Sequence, residues 1–402
     1  MICVCCVEEV EGVRHCGEME EGKGKEDSCG PATKRVVSFG LASTSPHTHT
    51  YTDGCCWMEP RICWPGEWPE RESGERETIR IAAFNTLRRQ YAFRTHPWVS
   101  EEDREWEHRL GKVLEVLASV DGDIVALEEA EFGYFDDDYV PFLEEAGYGY
   151  VQAAAKSKKD KMVHGHTKPA LLFANDRFHP PEWVIARSRV VACLLRERDT
   201  GRAIIPVAVH LYGGGSDHAK NERVLQLKSV FSKINVKLAA AAQQKQKAAA
   251  AAAAASSSPS EASSPAKEES AAVVVMGDFN ANVDEDVFAY LWDKAPEEEG
   301  RWEPHNLGLC GDLTGWAGSE IEFFGGSRPP TFKWGTSPDD EECPATLESI
   351  DNICTTSHLV PHVYRMPFEE DEWRGVVEGG VGIPNATHPS DHFPLAAVYR
   401  WQ

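Results

Sequence analysis

An α/β fold of two β-sheets covered by helices is predicted by three features of this 402-residue sequence. Apolar runs of strand length alternate with amphipathic stretches of helical period, the pattern of an α/β chain. Several strands follow one another through connections too short for a crossover helix, so antiparallel pairing must contribute. Asn, Asp, Glu and His residues stand at the ends of these strands, where a rigid sheet can present them along one edge.

The folded part is expected to begin near Thr78. Residues 1–77 mix Glu, Gly, Cys, Trp and Pro without sustained periodicity and read as an irregular, disordered leader. The remainder, 78–402, reads as one large domain. Ile79–Phe84 has strand character, and 104–119 carries Trp106, Leu110, Val113, Leu114 and Leu117 at helical spacing. Strands follow at Ile124–Leu127, Ala170–Ala174, Arg189–Leu195 and Ala203–His210, then an amphipathic helix over Ala219–Leu238 with Val224, Leu227 and Phe231 on one face. Between about 239 and 271 the composition collapses into Ala, Gln, Lys, Ser, Pro and Glu, a low-complexity surface insertion whose alanine run at 248–255 can extend the helix. Ala272–Met276 is a Val-rich strand, Asp284–Trp292 a short helix, 295–345 a loop-rich region, and Ser349–Cys354 and Pro394–Arg400 closing strands.

Charge and cysteine usage narrow the function. A formal net charge of −24 excludes non-specific coating of nucleic acid, which relies on Lys and Arg displacing counterions, although a local basic cleft is compatible with it. No apolar run approaches the ~20 residues of a bilayer-spanning helix, and Met1–Val13 lacks the basic start and apolar core of a signal peptide. The expected location is intracellular, cytoplasmic or nuclear, with no oligomer predicted. Eight of the twelve cysteines precede the first strong strand, and no paired Cys/His spacing makes a zinc cage, so free thiols are expected.

Five strand-end positions carry the chemistry: Asn85; Glu129; His210; Asp278 with Asn280; and Asp391-His392. Any one alone reads most simply as a turn former or cap. Together they resemble the endonuclease/exonuclease/phosphatase superfamily, through Phe84-Asn85-Thr86-Leu87, Asp123-Ile124-Val125-Ala126-Leu127-Glu128-Glu129, Val209-His210-Leu211, Gly277-Asp278-Phe279-Asn280, Ile350-Asp351-Asn352-Ile353 and Ser390-Asp391-His392. The resemblance runs from about Ile79 to Arg400. It implies a four-layer α/β/β/α sandwich of two packed, mostly antiparallel sheets flanked by helices, with the site at one edge. Within the superfamily the chain is most similar to the branch of nocturnin, Angel proteins, poly(A) deadenylases and 2′-phosphodiesterases. The pointers are His210-Leu211-Tyr212 leading to Glu222-Arg223-Val224-Leu225-Gln226, Lys168–Phe173, and Pro330-Thr331-Phe332 before Asp351. It departs from that branch at Pro169, where glycine is common, and at Glu128, where Gln is common.

Phosphoester hydrolysis needs a metal to neutralise phosphate charge, a group that activates water, and donors to the phosphate oxygens. The resemblance implies Glu129 as the Mg²⁺ ligand (Mn²⁺ as alternative), with Asn85 and Asp391 in the metal or water network. It implies Asp278 to orient or deprotonate water, Asn280 and His210 to hydrogen-bond the phosphate, and Asp351 to hold His392 in one tautomer. Adjacent strand residues face opposite ways, so one of Glu128 and Glu129 is expected to reach the site, and the family pattern selects Glu129. Whether Asp278 or His392 is the base stays open, since an Asp would need a raised pKa. Lys156, Lys158, Lys159 and Lys161 either steer an anionic substrate or form a solvated loop. Gly213-Gly214-Gly215 reads as a flexible loop, and His47, His49, His164 and His166 as solvated histidines. The expected reaction is metal-dependent hydrolysis of a phosphodiester of RNA or a nucleotide. The alternatives are a lipid headgroup or other small phosphoester, or a non-catalytic binding module with this fold.

Overall fold

The computed structural model describes residues 61–63, 77–131, 133–152, 168–255, 271–282, 285–291, 309–312, 330–335, 346–356, 358–365, 367–377 and 381–402. All of them lie within the unit Met58–Gln402. In chain order the strands are Arg61–Cys63 (β1), Thr78–Asn85 (β2), Ile124–Glu128 (β3), Tyr148–Gln152 (β4), Ala170–Ala174 (β5), Trp183–Ala186 (β6), Val190–Arg196 (β7) and Ala203–His210 (β8). They continue with Ala272–Asp278 (β9), Leu309–Asp312 (β10), Phe332–Trp334 (β11), Thr346–Glu348 (β12), Asp351–Thr356 (β13), Leu359–Arg365 (β14) and Leu395–Trp401 (β15). The helices that frame them are Arg89–Thr95 (α1), Glu101–Arg104 (α2), Trp106–Val120 (α3), Phe135–Asp138 (α4), Val140–Glu145 (α5), Asp217–Ala255 (α6), Asp286–Leu291 (α7) and Glu370–Val377 (α8).

One sheet has the order β1-β14-β15-β2-β3-β5-β4 and the other β10-β13-β9-β8-β7-β6; β11 and β12 form a small ribbon. Most pairings are antiparallel, as expected. The two interior exceptions are β2 with β3 and β8 with β9. Each of these parallel pairs needs a long crossover, and α1–α3 and α6 supply them. Both pairs therefore point their carboxyl ends the same way along their own sheet, where such folds place their ligands.

Buried side chains sort by strand parity. Ile79, Ile81 and Ala83 of β2, Leu171 and Phe173 of β5, Val191, Cys193 and Leu195 of β7, and Val274 and Met276 of β9 fill the space between the sheets. Their neighbours in sequence face outward. Ala82, Phe84, Val125, Leu127 and Leu172 pack under α3 and α8. Ile205, Val207, Val209, Val273 and Val275 pack under Leu227, Val230, Phe231 and Ile234 of α6 and Val287 and Phe288 of α7. Strands apolar on both faces are what two covered sheets require, and the four-layer arrangement follows.

The expected elements are present within a few residues of their predicted ends, with one correction at the amino-terminal side. Arg61–Cys63, assigned to the leader, forms a strand parallel to β14. Three residues carry too little pattern to be recognised, and the partner strand lies just over 300 positions away. The alanine run does extend its helix, which reaches Ala255. The rest of the proposed insertion, the rest of the leader, and Lys156, Lys158, Lys159, Lys161, His47, His49, His164 and His166 lie outside the described residues. Gly213–Gly215 lies in an exposed stretch without regular structure before α6, and Arg223 of α6 donates to the carbonyls of Tyr212 (2.9 Å) and Gly214 (2.8 Å) there. Among the described residues no helix is long and apolar enough to cross a membrane.

Leu171 is fully buried at the centre of the inter-sheet core. Leu171→Ala should lower unfolding free energy by about 2–5 kcal/mol, read from urea or thermal denaturation.

Candidate active site

Strand register brings the strand-end residues together. Asp278, last in β9, pairs with His210 of β8 on one side and Asp351 of β13 on the other, so these three form a row at one edge of their sheet. Asn85 pairs with Glu128 at the corresponding end of β2 and β3. Arg109 of α3 ties that end to the loop carrying Asp391 and His392, donating to Leu87 O and Pro389 O, both at 2.7 Å. Ser390 Oγ donates to Asn85 O at 2.7 Å, which closes the same connection from the other side.

The backbone is strained where it delivers these groups. Leu87, Glu129 and Asn280 adopt left-handed φ of 51°, 57° and 50°, a conformation that costs a non-glycine residue ~1–3 kcal/mol and persists where its surroundings enforce it. At Asn280 the enforcement is visible: its amide donates to Asp278 Oδ1 at 2.7 Å and its side chain donates to Leu211 O at 3.2 Å. Gly277 has φ 127°, and a Cβ there would press into Val209 O and the Glu128 carboxyl. Only glycine fits between β8 and that acid.

Electrostatics divide the groups into distinct states. His392 is buried, which by itself would lower its pKa, but the charges of Asp351, Asp391 and Asp278 outweigh this and hold it well above the usual histidine range. Its Nδ1 lies 2.8 Å from Asp351 Oδ2. Burial, then Arg189 and His392, drive His210 far below its ordinary value, so it is a neutral imidazole. Its Nε2 sits 3.7 Å from both Glu129 Oε1 and Asp278 Oδ2. Asp278 is pushed up to about 7, by burial first and Asp351 second, against the opposing pull of His392. Asn85 Nδ2 donates to Asp278 Oδ2 at 3.1 Å. Burial also raises Glu129, whose Oε2 accepts the backbone amide of Arg88 at 2.9 Å. Asp391 is instead lowered: burial opposes this, but His96, 3.2 Å away, and His392 stabilise its charge.

The donors fit a hard divalent cation. Glu129, Asp278, Asp351 and Asp391 are all buried, and Asp278, Asp351 and His392 offer ligand atoms within 4.8 Å of one another. That compact trio consists of residues expected to act on water and phosphate rather than on the metal. Asp351 and His392 are already engaged with each other, and Asn85 turns its amide nitrogen to Asp278 while its oxygen accepts from Leu87 N at 3.1 Å. Oxygen-rich sites with few nitrogens select Mg²⁺ or Mn²⁺ over zinc.

All eight strand-end and motif residues expected from the sequence converge here. Glu128 and Glu129 do not obey strict alternation, because Glu129 lies past the strand in its left-handed turn. Both carboxyls come close to the site. Glu128 is completely buried, neither of its oxygens has a hydrogen-bond partner among the described residues, and burial, Asp351 and Asp278 raise it far above the carboxylate range. Two contributors were not singled out. His96 follows a short helix rather than a strand, so no strand-end pattern marks it. Thr331, quoted only within Pro330-Thr331-Phe332, accepts the amides of Ile350 (3.0 Å) and Asp351 (2.9 Å) and so positions Asp351.

Residues 82–392 match the model of the Endonuclease/Exonuclease/phosphatase family. The CCR4-Not complex 3′-5′-exoribonuclease subunit Ccr4 of Saccharomyces cerevisiae is 30% identical over 110 residues. That stretch is 26% of this chain and 13% of the yeast protein, far short of two thirds of its length. Among solved structures, ANGEL2, a 2′,3′-cyclic phosphatase, aligns with a TM-score of 0.54 at 16% identity, over 80% of this chain and 95% of that one. Its complex with adenosine-2′,3′-vanadate gives 0.53 at 16% identity, over 81% and 96%. At such identity the likeness is one of fold.

The raised pKa of Asp278 has a consequence for stability. Its folded value of about 7 lies above the ordinary aspartate value of 3.8, so the folded state holds the proton more tightly, and the associated stability is present below the lower value and lost as pH rises through the upper. Asp278→Asn has no charge to bury. In EDTA its melting temperature relative to wild type should therefore rise between pH 4 and pH 8; a pH-independent difference would contradict the assignment.

Proposed function

The chain belongs to the endonuclease/exonuclease/phosphatase family, and on that basis we propose that it is a divalent-metal-dependent phosphodiesterase acting on RNA or a nucleotide through attack of an activated water. The observation that carries the reading is the division of states at the row of strand ends. Asp278 has a pKa near neutrality, while Asp351 holds His392 protonated. A base must be unprotonated yet able to accept a proton near the working pH. In this reading Asp278 takes the part of the base, and His392, paired with Asp351, does not.

In this reading Asp278 takes the proton of the water as its oxygen attacks phosphorus, the opposite P–O ester bond breaks, and the departing oxygen leaves as an alcohol after taking a proton from solvent. His392, as an imidazolium held by Asp351, stabilises charge growing on a phosphate oxygen, and neutral His210 donates a second hydrogen bond from Nε2. Asn280 hydrogen-bonds the scissile phosphate. Glu129, with Asn85 and Asp391, would hold Mg²⁺, or Mn²⁺ in its place. A cation bound there supplies neutralisation of the phosphate charge and polarisation of its P–O bonds. RNA is favoured among the substrates by the local identity to a 3′-5′-exoribonuclease. Turnover of oligo(A), NADP⁺ and an inositol phosphate, each with Mg²⁺ and with EDTA, tests the reading; full turnover after exhaustive chelation would remove the metal from it.

Two substitutions should differ in kind. Asp278→Asn should lower kcat by at least about a hundredfold with little change in substrate affinity, since shape is kept and the proton acceptor is lost. Glu129→Gln should raise the Mg²⁺ concentration giving half-maximal rate. Glu128→Gln is the internal comparison: a shift in metal dependence there and not at Glu129 would move the ligand by one residue.

A further inference from the structure

We propose that the exposed, cationic length of α6 is a docking surface for the phosphate backbone of RNA, an inference that rests on the phosphodiesterase reading above and extends it to a polymeric substrate. Over the whole chain Asp and Glu outnumber Lys and Arg, 65 to 41. From Lys228 to Ala255 the helix reverses that balance: Lys228, Lys233, Lys237, Lys245 and Lys247 occur there, and no acid does. Lysines on a solvated helix are commonly matched by Glu one turn away, which supports the helix and cancels the field. Here the field is left uncancelled. Lys233, Lys237 and Lys247 are exposed, and none of them makes an ion pair among the described residues.

The three lysines are presented together. At ~3.6 residues per turn they fall within a sector of ~80°, while Leu227, Val230, Phe231 and Ile234 hold another side of the helix on the second sheet. Val236 stands beside them, 67% exposed.

The direction of the helix connects this face to the site. Arg223 fastens the first turns of α6 to the carbonyls of Tyr212 and Gly214, and Gly213 lies so close to Asn280 that an added Cβ would stand 3.3 Å from its Oδ1. α6 therefore starts at the catalytic edge and runs back along β8, the strand that ends there. At ~1.5 Å per residue, Lys233 lies ~24 Å and Lys247 ~45 Å from Asp217 along the axis. A polyanion held at the edge by its scissile phosphate meets these cations in succession, and at ~3.4 Å of strand per charge it reaches Lys247 after about a dozen nucleotides. A mononucleotide or an inositol phosphate is too short to touch any of them. Contacts of this kind ignore sequence, weaken with salt and act on affinity, leaving the chemistry to the strand ends.

The test replaces Lys233, Lys237 and Lys247 together by Gln, which keeps helix propensity and removes three charges. Wild type and variant are compared on labelled oligo(A) of about 4 and about 30 nucleotides, by fluorescence anisotropy in EDTA and by turnover with Mg²⁺. The variant should bind the longer oligomer about tenfold more weakly at low salt, and the slope of log Kd against log salt should fall by about 2, at ~0.7 per lost phosphate contact. KM and kcat for the shorter oligomer should stay as in wild type, and replacement of the three by Arg should keep wild-type binding of the longer one. Three outcomes overturn the proposal: wild type that binds the longer oligomer no more tightly than the shorter, unchanged binding in the Gln variant, or equal weakening at both lengths. Loss of binding to phosphatidylserine vesicles in the Gln variant, with RNA binding unaffected, also overturns it and assigns the face, with Val236, to a membrane. If wild type binds the longer oligomer through these lysines yet hydrolyses neither, the phosphodiesterase reading fails and the docking surface stands.

Discussion

The constraint on which this structure depends is the burial of five carboxyl groups within one small volume. Glu128, Glu129, Asp278, Asp351 and Asp391 are each less than a tenth exposed, and His392 is held cationic among them. Like charges at close range in a poorly solvated site repel strongly, and the protein answers by keeping some of them protonated or by pairing them. Burial and neighbouring carboxylates raise Glu128 and Asp278, His96 and His392 stabilise Asp391, and Asp351 is bonded to His392. Under the proposed metal-dependent reading, a bound cation would offset this concentration of acid.

Holding such a cluster in place falls to the strands. Ladder register sets Asp278 and Asp351 in one row with His210, and a ladder slipped by one residue would turn each of the three to the opposite face. The loop with Asp391 and His392 lacks that support and is fastened by Arg109, Ser390 and Thr331 through the backbone of its neighbours. Fully buried Arg109, its pKa lowered to about 10 by burial, is therefore structural as well as electrostatic.

Much of this was legible in the sequence because chemistry and periodicity coincide. Gly277-Asp278-Phe279-Asn280 follows a run of valines, Asp391-His392 precedes Leu395–Trp401, and Asn85 ends an alternating strand, so position on the sheet could be read together with residue type. Residues whose role depends on contacts across long sequence separations were not legible. His96 meets Asp391 across almost 300 residues, and β1 is defined only by its partner. Glu128 was readable as a rival to Glu129 but not as an acid walled in by Gly277, since that needs the parallel register of β8 and β9.

The long helix α6 has two halves with different environments. Leu227, Val230, Phe231 and Ile234 are buried against the second sheet, whereas the stretch beyond Leu238 is largely exposed. At ~1.5 Å per residue the tip at Ala255 stands several tens of ångströms from the end that carries Arg223. A dye or affinity handle placed at exposed Lys247 would therefore sit tens of ångströms along the helix from Arg223 and from the strand ends that Arg223 adjoins.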